Sequence, residues 1–494
     1  MSALEIAPQA AARDQEPSRL DPARVLARLT LLELRRSPMP FMLPLVALLF
    51  WFDALRTGQN LPPVWTQRAA ILPNHVLPDL GPVAAGMAAW VGGREHRRGM
   101  ADLAGSTARP RWSRELATWA GAVAWTLVGY AACVAVVYVL AARVVTWGGP
   151  PVWPIVVTGL AAVLFATAGF VAGALFPSRY TPPLAAIGTL FASVRVFQTA
   201  VGSGAGWALL SPNNRVPPLD WGVFHPIPQG LSIVQTLFLI GAIALFLGAL
   251  GVADSARGAR LRRTAGSVFL AGAASCVVAF ALSTTATTGP YGYVVPALGS
   301  ASTQQIPYTP DCTSGAVPVC VHPAFSGDLG PAAGALGPIL DQAAGLPGAP
   351  TRAEQVDTAD LAAAHGPAGD GGESAYSVGL RLDPAAPGGP VLEYGFDDQY
   401  GLMQSVTSQY LRTQAAQAVF GYLVAPNGRA GQAQQAVEAG LCQVAGVTTP
   451  DAAAAAVTAA GRRLAMLTTT QRHTWLVTHL ASLRAGQVTL QEIP

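Results

Sequence analysis

The sequence predicts a polytopic α-helical membrane protein with a mixed α+β domain held outside the membrane, and three observations lead there. Only 12% of the 494 residues are charged, against about 25% in an ordinary soluble domain. Seven stretches reach or approach the roughly 20 apolar residues that cross a bilayer. Residues 286–494 contain no such stretch, yet are numerous enough for a core of their own.

Five of the seven stretches are strongly apolar: 115–142, 152–176, 180–200, 230–253 and 265–285. Two earlier ones are interrupted, 39–56 by Asp53 and 76–93 by Pro78 and Asp79. Both interruptions fall toward the same connecting loop, where a carboxylate reaches the headgroup region at lower cost than at mid-bilayer. This pair reads either as two spans or as a re-entrant hairpin. Ahead of them, residues 22–36 form an amphipathic helix. Asp21 and Pro22 suit its cap and first turn. Val25, Leu26, Leu29 and Leu32 share one face, and Arg24, Arg28 and Arg35 another. It lies on the inner leaflet or extends the first span into the cytosol. The first 38 residues are polar and basic and show no cleavable signal peptide.

Charge sets the expected orientation. With the N-terminus in the cytoplasm, 17 arginines fall on inner segments: six in the N-terminal tail, six between Arg94 and Arg114, then Arg179, Arg257, Arg260, Arg262 and Arg263. Only Arg56, Arg68, Arg143 and Arg215 fall outside, a strong positive-inside bias. Seven spans then leave the C-terminus extracytoplasmic in the plasma membrane. Residues 1–284 carry 22 Arg against 12 acids and the remainder 8 against 15, which fits two environments. The arginines sit between apolar segments, so the basic half implies no nucleic acid. All 30 basic residues are Arg and none is Lys. A phosphate-binding Walker loop needs its Lys, so this chain is not itself a P-loop ATPase, a Lys Schiff-base enzyme or an ordinary protein kinase.

The expected organisation is a tail over residues 1–38, a six-span core over 39–255, an inner loop and seventh span over 256–285, and an outer α+β domain over 286–494. A linker rich in Gly, Ser, Thr and Pro opens that domain. Cys312 and Cys320 stand eight residues apart and predict a local disulfide in an oxidising compartment. A metal site of Cys312, Cys320 and His322 would lack a fourth ligand. Cys442 reads as a buried helical residue, and Cys133 and Cys276 as packing residues of spans. Helices are expected near 329–345, 403–424, 430–444, 451–466 and 469–485. The last has Thr468 and Gln471 spaced as a capping box and Gly486 at its exit. Residues 375–383 alternate as a strand and 390–396 offer it a partner. No HExxH or GxSxG motif occurs. His473 and His479 fall on different helix faces. Asp397 and Asp398 sit between glycines, either as a solvated turn or as a cation or acid-base pair.

Residues 1–255 resemble the permease subunit of a type-2 ABC exporter. The amphipathic segment before the first span is one part of the likeness. The inner turn after the second span is the clearest, where Arg94, Glu95, Gly99 and Leu103 match residues frequent in such permeases. The short turn PSRYTPP between the fourth and fifth spans is a third. The outer loop 201–229, broken by Trp207, Pro212, Pro217, Trp221 and Pro226, stands where the family places re-entrant helices. The chain departs by adding a seventh span and the outer domain, whose segments VPVCVHPAF, LPGAPTRAEQV and LASLRAGQVTLQEIP resemble the C-terminal part of actinobacterial ABC permeases. Some ABC permeases carry outer peptidase domains, but the HExxH of those is missing here.

The resemblance implies a complex of two permeases, self-paired or with a sibling, and a dimer of separate ATPase subunits that bind ATP and Mg. This chain then has no cofactor of its own and is no enzyme. The inner turn would dock on the ATPase, with Glu95, Arg97, Arg98 and Glu115 as coupling candidates. Alternatively, these charges only enforce topology. Arg195, inside the fifth span, either lines the translocation path or snorkels to the outer surface. Two other functions compete: a membrane-anchored binding or sensing protein, and an outer-facing enzyme built from dispersed residues.

Overall fold

The structure, a computed structural model, describes residues 22–59, 61–97, 99, 111–193, 210–212, 221–227, 229–253, 259–288, 294–296, 305–357, 377–382, 391–395, 403–424, 431–444 and 455–494. Among these residues, five helical segments are long and apolar enough to cross a membrane: Met39–Arg56, Arg111–Ala141, Trp153–Leu175, Gln229–Ala253 and Leu261–Thr284. The first joins a 3-10 turn, Met39–Met42, to helix α2 (Leu43–Phe52) and the start of α3 (Ala54–Gln59). Before it comes α1 (Pro22–Arg36) at the bounds expected for the amphipathic segment. After it a short helix α4 (Trp65–Ala69) leads to a π-turn, Leu72–Val76, and then α5 (Leu77–Gly92). Pro73, Pro78 and Pro82 all lie in this run. Each lacks an N–H for the helical ladder, and a widened turn is one way a helix absorbs that loss. The stretch expected to span 76–93 is thus a 16-residue helix lengthened by an irregular turn. Of the stretch expected over 180–200, the described part is a shorter apolar helix, Thr181–Phe191.

Helix α5 is the centre of the bundle. Its Leu77, Leu80, Ala84, Ala85, Ala88 and Ala89 are fully buried. It packs on the helix Trp153–Leu175, which presents Gly169 and Gly173 one turn apart. A Cβ at Gly169 would collide with the carbonyl oxygen of Ala85, and one at Gly173 with that of Ala89. The backbones touch directly, the small-xxx-small contact by which apolar helices associate where burial alone gives no drive. Gln229–Ala253 and Ala259–Thr284 repeat the device: Gly248 meets the backbone of Phe269, and Gly272 that of Leu245 and Gly241.

Successive helices alternate in direction, so the bundle has two distinct ends. One gathers Arg94–Arg97, the start of Arg111–Ala141 and the Leu175–Thr181 turn. The other gathers residues 61–73, 142–158 and 221–235 and carries the C-terminal unit. That unit follows a two-stranded ribbon, β1 (Ala286–Thr288) with β2 (Val294–Pro296). Its sheet has five strands in the order β3 (Asp311–Cys312), β4 (Val319–Val321), β5 (Ala353–Val356), β6 (Ser377–Leu382) and β7 (Val391–Gly395). β6 and β7 are the expected antiparallel pair, Ser377 opposite Gly395. β4 and β5 run parallel. A parallel pair requires a crossover, which the helix Leu329–Ala343 supplies. Cys312 and Cys320 face each other across β3 and β4 and form the expected disulfide, so their sulfurs are not metal ligands.

Helices Met403–Val424, Gln432–Val444, Ala455–Met466 and Thr469–Arg484 complete the unit. Both capping-box bonds of Thr468 and Gln471 form, and Gly486 takes a left-handed conformation just past the last helix. Cys442 is buried in its helix. The unit's core contains Phe325, Leu336, Leu380, Phe420 and Leu480, and also Val64, Val223 and Phe224 from the bundle end.

Because the Gly173 contact is backbone to backbone, Gly173→Val should destabilise the bundle by about 1–3 kcal/mol or more. Thermal unfolding in detergent should show a lower midpoint, whereas Gly266→Ala, at a glycine with open space around it, should leave it within about 0.5 kcal/mol of the parent.

Candidate functional sites at the two bundle ends

At the first end, α5 closes at Gly93 and a single helical turn, Arg94–Arg97, follows. Arg94 donates to Glu33 of α1 at 2.8 Å. Arg114, at the foot of Arg111–Ala141, faces Glu95 at 4.0 Å. Arg111 donates to Glu115 at 2.7 Å, one turn on along its own helix. The indole of Trp125 donates to the Leu34 carbonyl at 3.0 Å, and that of Trp112 to the Leu247 carbonyl at 3.2 Å. Two ion pairs thus tie α1, the turn and the foot of helix Arg111–Ala141 into one charged platform, and a third, Arg111–Glu115, lies within that helix. Arg97 folds back: its guanidinium lies 4.1 Å over the Trp90 ring and donates to the Trp90 carbonyl.

Of the sequence candidates, Glu95, Arg97 and Glu115 come to this end. Glu115 is buried and engaged by Arg111, a packing position more than a docking one. Arg98 and Arg195 lie outside the described residues, as do Asp397 and Asp398. Sequence reading did not single out Glu33, Arg111 or Arg114 as site residues. The i,i+4 spacing of Arg111 and Glu115 was a usable signal; the Glu33–Arg94 pair, 61 residues apart, had none.

The second end is a joint between bundle loops and the C-terminal unit. Gly222, left-handed at φ 86°, turns the chain so that its N–H meets the His225 carbonyl at 2.6 Å. Thr66 donates to the Trp221 carbonyl at 2.9 Å, and the Ile306 N–H to that of Phe224 at 2.8 Å. His225 Nε2 lies 3.4 Å from Asp357 Oδ2, and Gln305 donates to the same oxygen at 3.4 Å. His322 is wholly buried among rings: Trp147 at 4.6 Å edge-on, Tyr308 at 4.3 Å and Phe224 at 5.1 Å between centroids. Its Nδ1 accepts the Ala324 N–H at 3.0 Å, so in the neutral ring Nε2 carries the proton. Burial lowers its pKa to about 4. The same cause raises Asp328 to about 6.

A second intramolecular pair lies where the first two interrupted stretches meet. His75 Nδ1 stands 2.9 Å from Asp53 Oδ2. The two residues that interrupt an apolar run or border it therefore satisfy each other, which lowers the cost of placing either there.

Comparison with family profiles, with curated proteins and with solved structures returns no match for this chain. Among the described residues, no group of three or more His, Cys, Asp and Glu converges as a metal site.

Two measurements test these sites. Reversing one charge of the Glu33–Arg94 pair should lower stability, and Glu33→Arg with Arg94→Glu should recover it, with a coupling of about 1 kcal/mol in a double-mutant cycle. The second concerns pH. The unfolded chain protonates His322 near 6.5 and the folded chain only near 4. The unfolded state therefore binds more protons in that window, and stability falls as pH drops from 6.5 toward 4. Asp328 acts with the opposite sign: its contribution falls as pH rises from 3.8 to about 6. His322→Asn keeps an acceptor for the Ala324 N–H and leaves Asp328 in place. Its melting temperature should therefore lose less than the parent's on acidification from pH 6.5 to 4.

Proposed function

We propose that this chain is the membrane subunit of an ATP-driven exporter, working with a separate ATPase. The observation that carries the reading is the charged platform: a single turn after the second apolar helix, clamped by Glu33–Arg94 and Glu95–Arg114 to an amphipathic helix and to the foot of the next long helix. A partner that pushes on this turn acts on an element paired both to α1 and to the foot of helix Arg111–Ala141. The platform end is cytoplasmic in this reading, by its arginines, and the other end faces an oxidising compartment, by the Cys312–Cys320 disulfide. Glu95 and Arg97, both half-buried, are the members offered to the ATPase, and buried Glu115 holds the platform from inside.

A second reading, a membrane-anchored binding or sensing protein, draws on the shared core. Val64, Val223 and Phe224 of the bundle end pack within the C-terminal unit, which suits a domain that reports on its own state to the helices.

Purification from the native host in mild detergent, followed by mass spectrometry, separates the two. The exporter reading expects a stoichiometric P-loop ATPase whose recovery falls at least about tenfold in Glu95→Arg combined with Arg97→Glu. Recovery of the chain without any ATPase would sink it in favour of the second reading.

A further inference from the structure

Beside the joint between the bundle and the C-terminal unit lies a half-open cavity of about 580 Å³, within the size range of small-molecule sites. Its walls come mainly from three stretches of chain, 64–73, 147–158 and 221–235, which together bring four rings to it: Trp65, Trp147, Trp153 and Trp221. Ile306, at the entry to the C-terminal unit, closes one side. None of its described lining residues is charged.

Two polar side chains of the wall are committed to the protein. Thr66 donates to the Trp221 carbonyl at 2.9 Å and Gln235 to the Ser211 carbonyl at 2.6 Å. Arg68, on the same short helix as Trp65, donates to the carbonyls of Leu61 and Pro62. These bonds hold the walls in place around the four indoles. Indole faces bind rings by offset stacking and edge contacts. A phosphate or carboxylate entering here would lose its water and find no cation among the described lining residues, which costs several kcal/mol.

We propose that this cavity is a binding site for an uncharged, ring-bearing apolar molecule of drug-like size, not for a phospholipid. Such a molecule sits between Ile306 and the helix ends, so its presence is felt on both sides of the joint. The site stands independently of any ATPase.

The test uses the full chain in lipid nanodiscs without nucleotide. The probe is an uncharged naphthalene carrying an aryl diazirine. Its sulfonated analogue and a phosphatidylcholine with a diazirine in the acyl chain are run beside it. After illumination, labelled peptides are mapped by mass spectrometry. The uncharged probe should label residues 147–158 and 229–235 saturably, with competition by excess unlabelled naphthalene. Labelling should fall at least about tenfold in Gly149→Trp and in Ser232→Trp, which fill the cavity; Gly149 has open space around its Cβ position. Leu231→Asp, which puts a carboxylate on the wall without filling it, should have the same effect. All three variants should elute as the parent does on size exclusion, and any one that does suffices. Non-saturable labelling, equal labelling by the sulfonated analogue, or stronger labelling of these peptides by the phosphatidylcholine probe would overturn the proposal.

Discussion

The bundle depends on one contact, the backbone-to-backbone seating of helix Leu77–Gly92 on helix Trp153–Leu175. Between apolar helices in an apolar solvent, burial gives no net drive, and dispersion must do the work. Dispersion falls off within a fraction of an ångström. Gly169 and Gly173 remove the side chains that would hold the helices apart, and the Ala85 and Ala89 carbonyls occupy the space. Helix Leu77–Gly92 can therefore carry three prolines in or just before its length, because a neighbour rather than its own ladder fixes its course. The π-turn ahead of it sets where Trp65 and His75 come to lie.

From that seat the two ends diverge in chemistry. At one, the pairs Glu33–Arg94 and Glu95–Arg114 link α1, the single turn and the foot of helix Arg111–Ala141, and the charges are arranged in pairs, not clustered by sign. At the other, charge is nearly absent from the walls and rings take over. His322 belongs to this ring system and not to a metal set: burial favours its neutral form, and the Ala324 N–H fixes which nitrogen stays bare. Between the ends the apolar faces of the outer helices remain exposed, as Phe41, Leu184 and Leu270 do, the condition expected of surfaces whose solvent is lipid.

What the sequence revealed follows the length of its signals. Long apolar runs and the helices of the C-terminal unit were legible because periodicity accumulates over many residues. The capping box at Thr468 and the Cys312–Cys320 disulfide were legible because each is a local rule. β3, β4 and β5 were not, since runs of two to four residues carry no period. The crossover helix Leu329–Ala343 was visible, but without its flanking strands it gave no hint of a parallel pair. At the candidate sites the same limit holds. Glu95 stood out within a short motif, whereas Glu33 and Arg94, or His225 and Asp357, meet only because the fold brings distant segments together.

The shared core has a consequence for how the chain is made. Val64 is synthesised early, Val223 and Phe224 midway, and Leu480 near the end, yet all four belong to one hydrophobic cluster. Contacts that remote in sequence close late and at high entropic cost. The bundle loops must therefore wait, with Phe224 uncovered, until Tyr308 and His322 have been delivered to their side. Biogenesis thus has a vulnerable interval set by the length of the chain, and a truncated product would display an unfinished core on the surface that quality-control proteases inspect.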